Sequence, residues 1–304
     1  MSLFGNISII WDKILDFINK NGSSIAEVII DEANQTQQTI GRVHAVHFGV
    51  NTYDSSDAGY GRVIQQLQSC NLDALAMQRL FNDVGMTFIN EEATAERFKS
   101  EISKLSRTAV AGDLVIITQS SHGTHFQDES GDEVDGEDEG TCMFDEIVWD
   151  DAIKGLMSKF KKGVNLISIW DTCHSGSATR GFDAMPNGFL NKDAGLTQHE
   201  LKSFRSSKNK VQGIEGGIKC NYLHIGASQD AEYSLDGAKN GNFTGTFLNV
   251  IKRRNTIGLS IALDDVLEEV QGVINGQHPN IDIVTEGGKQ LLYMELPINL
   301  YTIS

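Results

Sequence analysis

Alternation of strand-like and helix-like segments predicts an α/β protein, a mostly parallel central sheet flanked by helices on both faces. Short apolar runs at 43–50, 112–123, 165–170 and 221–228 have the length and composition of buried strands. Stretches with helical spacing separate them, and only three prolines and no internal repeat interrupt the 304 residues. One main domain is therefore expected, without a clean interdomain linker.

The elements follow in order. Ile7, Ile10, Trp11, Ile14 and Ile18 form one helical stripe, read as a helix packed on the core or contacting a partner or membrane. "VHAVHFGV" (43–50) is the first buried strand, and "NLDALAMQRLFNDVG" (71–85) is a helix that stops at Gly85. "MTFIN" (86–90) is a short strand and "TAERFKSEISKLSR" (94–107) a helix. The strand 112–123, a helix over 149–160 and the strand 165–170 come next, then the strand 221–228. Helices are expected over 244–254 and 260–274, and "KQLLYMEL" (289–296) as a last strand. Two loops stand apart: an acidic one at 124–146 and a long aperiodic connection at 177–219.

Composition narrows the function. Apolar residues make up 40% and charged residues 22%, fitting a soluble core, and the net charge of −16 excludes nucleic acid as a default partner. The amino-terminal apolar run is interrupted by Asp12 and Lys13, which argues against a signal peptide or membrane span. Cys70, Cys142, Cys173 and Cys220 show no CxxC spacing, so a reducing cytoplasm is expected.

In parallel sheets, sites gather beyond the carboxyl ends of the strands. His122 follows one such end and Cys173, in "IWDTCHSG", follows another. Neighbouring strands would bring the two together although they stand 51 positions apart. A histidine base would generate the thiolate, and the amides of Gly123 and Cys173 would face the oxyanion. His125 and His174 are weaker candidates, since an extended backbone turns His174 away from its neighbour. Strand periodicity places Asp171 on the side of Cys173 and Ser120 on the side of His122.

These residues lie in blocks that resemble the caspase-like cysteine peptidases, specifically their metacaspase and orthocaspase branch. The blocks are "FGVNTYD", "LQSCNLDALAM", "SSHG", "GDEVDGEDE", "DTCHSG", "GASQDAEYS" and "GNFTGTFLNVI", spanning roughly 42–285. The resemblance implies a caspase-like three-layer sandwich. It also implies an amino-terminal extension (1–41) and a peptidase domain (42–304), made of a large-subunit-like part (42–176), a linker (177–219) and a small-subunit-like part (220–304). It further implies a Cys–His dyad and a specificity pocket lined by Asp73, Ser120 and Asp171 with Cys70 beside them. Two carboxylates there would select Arg or Lys before the scissile bond. Asp73 has a second reading as a helix amino-terminal carboxylate, and Asp171 one as a turn acid.

No cofactor is required by this chemistry, but some metacaspases are regulated by calcium. Asp138, Asp150 and Asp151 match carboxylates of that site, whereas Arg180 stands where a further one is expected; a solvated acidic loop is the other reading. The expected function is a monomeric endopeptidase acting on peptides with Arg or Lys at the cleavage site. The alternatives are an idle caspase-like interaction module and a calcium-regulated binding module. Self-cleavage is expected in the basic stretch "LKSFRSSKNK" (201–210), at Arg205 or at the neighbouring Lys202 or Lys208.

Overall fold

The computed structural model of the protein describes residues 41–82, 84–127, 137–172, 189–208, 217–228 and 234–298. The expected amino-terminal helix, Cys173, His174 and Arg180 lie outside the described residues, as do the side chains of Asp138, Arg205 and Lys208.

Six strands form the central sheet: β1 (Val43–Gly49), β2 (Met86–Ile89), β3 (Leu114–Ser120), β7 (Asn165–Asp171), β9 (Asn221–Gly226) and β11 (Asn280–Ile283). Their order is β11-β9-β7-β3-β1-β2. Every neighbouring pair is parallel except β11 with β9. All residues of β3 and β7 are buried, as expected for central parallel strands covered on both faces.

Helices α2 (Ala95–Thr108) and α3 (Asp150–Met157) cover one face. Phe98, Ile102, Ile153 and Leu156 pack there against Val115, Ile117 and Leu166. The Thr94 hydroxyl starts α2 by accepting from the Arg97 N–H at 3.1 Å. The other face carries α1 (Cys70–Leu80), α5 (Asn242–Thr256) and α6 (Leu263–Val273). Leu263, Val266, Leu267 and Val270 make the buried stripe of α6, and Phe243 and Phe247 that of α5 against Ile167 and Ile225. Each such side chain contributes about 1.5–3 kcal/mol when fully buried. Among the described residues no helix is long and apolar enough to cross a membrane.

Three segments differ from the sequence-based expectation. The acidic region is not one loop: β4 (Gly123–Gln127), β5 (Glu137–Cys142) and β6 (Ile147–Trp149) form a three-stranded antiparallel sheet. The connection 177–219 contains a two-residue strand, β8 (Leu190–Asn191), and the helix α4 (Gln198–Lys208). β8 pairs antiparallel with β10 (Leu235–Asp236). Residues 289–296 do not form the last strand. Lys289–Leu292 is a short helix, α7, with Leu291 buried, and β11 closes the sheet instead.

Gly85 sets the turn from α1 into β2. Its φ is +84° and a Cβ there would strike the Ala45 carbonyl oxygen. Gly85→Ala is expected to lose roughly 1–3 kcal/mol from backbone strain alone, more with the collision, and to lower the unfolding temperature in a thermal melt.

Candidate active site

Register brings the site together. Ser120, the last residue of β3, is the direct partner of Asp171, the last residue of β7. His122 and position 173 each stand two residues further on. On the neighbouring helix, Asp73 lies in the first turn of α1 and accepts from the Ser120 hydroxyl at 2.7 Å. Asp73, Ser120 and Asp171 are all buried.

Two buried carboxylates need donors. Asp73 takes them from the Asn240 amide at 2.9 Å and the Gly241 N–H at 3.0 Å. Asp171 takes them from the Ser234 hydroxyl at 2.6 Å, and from the hydroxyl and N–H of Thr244 at 2.7 and 3.1 Å. Gly241 and Thr244 open α5, so both acids sit at the positive end of that helix dipole. Asp73 therefore serves a helix amino terminus as well as the pocket, and the helix is α5 in addition to its own. Gly241 is required here, because a Cβ would run into the Asp171 carboxylate and come within 2.7 Å of a lysine Nζ.

That lysine is Lys192, and it fills the pocket. Its side chain is fully buried. The Nζ lies 2.8 Å from Asp171 Oδ1 and 3.6 Å from Asp73 Oδ2. It donates to Ser120 Oγ at 2.9 Å and to the Asp171 carbonyl at 3.0 Å, so all three ammonium protons have acceptors. Burial opposes charge on Lys192, but Asp171 first, then its other anionic neighbours, hold it well above the ordinary lysine value. Burial raises Asp171 too, yet the nearby ammonium and the hydroxyl donors outweigh it and keep the acid ionised. For Asp73 burial wins and its pKa is raised, since the ammonium is farther away and Asp171 repels it.

The main chain around Lys192 is extended and fully engaged. Its N–H donates to the Ser234 carbonyl at 3.0 Å, and its carbonyl accepts from the Gly123 N–H at 2.8 Å. The next residue but one, Ala194, donates to the Gly123 carbonyl at 3.0 Å.

His122 is buried beneath this segment. Its N–H donates to the Tyr53 hydroxyl at 2.8 Å, and its Nε2 lies 2.8 Å from the Gln65 carbonyl. A carbonyl can only accept, so Nε2 carries the proton and Nδ1 is left as the basic nitrogen. Nδ1 is buried with no hydrogen-bond partner among the described residues. Burial lowers the His122 pKa, against the opposing pull of the Gln65 and Lys192 carbonyls and of Asp193. The ring is neutral near pH 7, as a general base must be.

The three described cysteines are poor nucleophiles. Burial pushes the Cys70 thiol far above its ordinary value, Cys142 up to about 12 and Cys220 up to about 11. Cys70 is near enough to Lys192 and Asp73 to feel both charges.

Among the described residues no group of three or more acids, histidines or cysteines is arranged to hold a metal ion. Asp150 has one oxygen 2.9 Å from Lys154 Nζ and the other buried without a partner among the described residues. The side chain of Asp138, the third carboxylate of the expected calcium site, is not among them.

Sequence reasoning missed Lys192, Ser234, Asn240, Gly241 and Thr244. The two lining segments were noticed as blocks, "GASQDAEYS" and "GNFTGTFLNVI", but their individual donors carry no local signal. Lys192 lies in the long aperiodic connection, where no local pattern marks it.

A parallel sheet with a histidine and an acid pocket at adjoining strand ends defines a caspase-type fold. The caspase-domain family model (Peptidase_C14) matches residues 42–294, and the chain belongs to that family. It is 26% identical to Metacaspase-1 of Arabidopsis thaliana over 62% of this chain and 55% of that one. It is 24% identical to Metacaspase-1 of Eremothecium gossypii over 78% and 63%. The chain thus spans a little over half the length of these curated relatives. The crystal structure of protein GSU0716 from Geobacter sulfurreducens superposes with a TM-score of 0.70 at 26% identity, covering 84% of this chain and 98% of that one.

Removing the ammonium tests the pocket's electrostatics. Lys192→Met leaves two buried carboxylates without a counter-cation, at a cost of about 3–5 kcal/mol. Their folded pKa values then rise above the unfolded value near 3.9. A carboxylate raised in this way loses stability as pH rises from the unfolded pKa, and the loss is complete once the folded pKa is passed. The variant's loss of stability is therefore expected to be largest above pH 7 and to shrink towards pH 5 in urea titrations.

Proposed function

We propose that the protein is a cysteine endopeptidase that cleaves after Arg or Lys, with Cys173 as nucleophile and His122 as base. The observation that carries this reading is a buried cation in the two-carboxylate pocket, with its own carbonyl on the Gly123 N–H beside His122. A substrate bound in that way has its scissile carbonyl on the Gly123 N–H, next to the proposed base.

In this reading the Nδ1 of His122 takes the Cys173 proton. The thiolate attacks the carbonyl carbon, and the oxyanion is held by the amides of Gly123 and Cys173. The imidazolium then protonates the leaving amine, and water hydrolyses the thioester. No resident cofactor takes part. The high thiol pKa values of the other cysteines support Cys173 as the nucleophile, and the donors around Asp171 support a pocket that stays ionised while it holds a guanidinium or ammonium.

Fluorogenic peptides with Arg, Lys or Asp before the reporter, assayed with and without calcium, test the proposal. Arg and Lys substrates are expected to be cleaved and Asp substrates left; preference for Asp would overturn the pocket assignment. Cys173→Ala and His122→Ala should each abolish turnover, with the double variant barely worse than either. Asp171→Asn should lower kcat/KM for cationic substrates by roughly 30- to several thousand-fold, because an interfacial cation loses its buried partner. Substrates without a charge at that position should lose far less.

A further inference from the structure

We infer that the groove between α1 and α5 docks an acidic peptide segment, the part of a protein substrate that lies ahead of the cleaved residue. The docking stands on the groove itself; its assignment to a substrate rests on the peptidase reading above.

The groove has a volume of about 740 Å³, with Leu72, Leu75 and Arg79 of α1 on one wall and Leu248 and Lys252 of α5 on the other. Its charge is of one sign. Arg79, Lys239 and Lys252 are exposed along it, and no Asp or Glu is among its described lining residues. In a chain with 41 acidic residues against 25 basic ones, an all-basic lining runs against the composition. Lys239 and Lys252 form no ion pair among the described residues, so an incoming carboxylate displaces no internal partner.

The walls favour a peptide over a bare anion. Leu72 is a large apolar side chain left exposed beside the cations, and Thr246 and Asn249 offer groups that can pair with a main chain. α5 also carries a glycine on this side, Gly245. A glycine inside a helix weakens it, and here the missing side chain keeps the wall low: a Cβ would come within 3.3 Å of the Asn240 Cβ.

The groove adjoins the acid pocket. Asn240 and Gly241 line it and also donate to Asp73. Phe189 lies in it, close enough to Gly237 that a Cβ there would come within 3.2 Å of the ring. From Phe189 the chain runs through Leu190 and Asn191, paired with Asp236 and Leu235, to the Lys192 ammonium on Asp171. A substrate following the same track has its residues ahead of the Phe189 position at the basic groove. At about 3.3 Å per extended residue, its acids belong about four to seven positions ahead of the cleaved residue.

Fluorescence anisotropy of a labelled Glu-rich peptide with one leucine and no Arg or Lys reads docking alone. Wild type should bind it at low ionic strength. Lys239→Glu combined with Lys252→Glu should weaken binding by at least about 4-fold, since one exposed ion pair is worth about 1.4- to 5-fold and reversal turns attraction into repulsion. At about 1 M salt, where the screening length is roughly 3 Å, the difference should vanish. A control of equal charge on the opposite face of the sheet, Lys104→Glu with Lys159→Glu, should bind as wild type does. Equal loss in that control, unchanged affinity in the groove variant, or equal wild-type affinity for a short oligothymidylate overturns the inference. So does a wild-type dimer that the groove variant dissolves, because a second copy would then fill the groove.

Turnover tests the substrate assignment. An Arg peptide extended by glutamates ahead of the cleavage site should show a lower KM than the unextended peptide, with kcat little changed. The groove variant should lose that gain and turn over the unextended peptide as wild type does. Turnover without any gain from the acidic extension overturns the assignment and leaves the peptidase reading standing. Docking with no turnover of any Arg or Lys peptide overturns the peptidase reading and leaves the acidic-peptide site standing.

Discussion

The Lys192 ammonium, fixed between Asp171 and Asp73, is the interaction on which the rest of the site depends. It joins parts of the chain that share no secondary structure: the end of β7, the first turn of α1 and the segment next to β8. An isolated carboxylate moved from water into a protein interior costs several kcal/mol even after relaxation. Two of them survive here because each accepts from the opening residues of α5, because hydroxyls surround them, and because one cation lies between. The opposite pKa shifts of the two acids express that arithmetic. One ammonium fully compensates the acid at 2.8 Å, and the acid at 3.6 Å depends more on Asn240 and Gly241.

The same arrangement ties the proposed specificity pocket to the fold. Asp171 ends a central strand, and Thr244, which donates to it twice, belongs to the helix that covers that strand. Gly241 keeps the approach open where any side chain would enter the carboxylates. In the proposed peptidase, neutralising a pocket acid would therefore weaken substrate binding and also uncap α5. This is why comparison of charged with uncharged substrates on one variant separates the two effects, whereas a drop in activity alone does not.

The central strands were legible because they are buried on both faces and so read as unbroken apolar runs. "LVIITQS" and "NLISIWD" needed no partner to be recognised, and their period of two already placed Ser120 on the side of His122 and Asp171 on the side of Cys173; the register then pairs Ser120 with Asp171. Segments whose character is set by distant partners were not legible. "EDEGTC" reads as a solvated acidic loop, yet its backbone pairs with β4 and β6. "KQLLYMEL" carries strand-like residues, but only a single bridge, Ala262 to Glu295, forms near it. Lys192 is the extreme case. "LNKDAG" has no periodicity, and its meaning appears only when Asn191 meets Leu235, a pairing that a local pattern does not encode.

How Lys192 fits bears on which substrates the pocket takes. A void of about 10 Å³ bordered by Asp73, Ser120, Asp171 and Thr244 lies beside the carboxylates, room for about one water. A guanidinium is planar and presents five donors in a fixed fork, so it can engage both acids at once. The floor suits that geometry: Asp171 and Asp73 offer oxygens on either side of Ser120, whereas a single ammonium must favour one acid, as it does here. In the proposed peptidase, a substrate guanidinium would therefore engage both acids where the chain's own ammonium favours one.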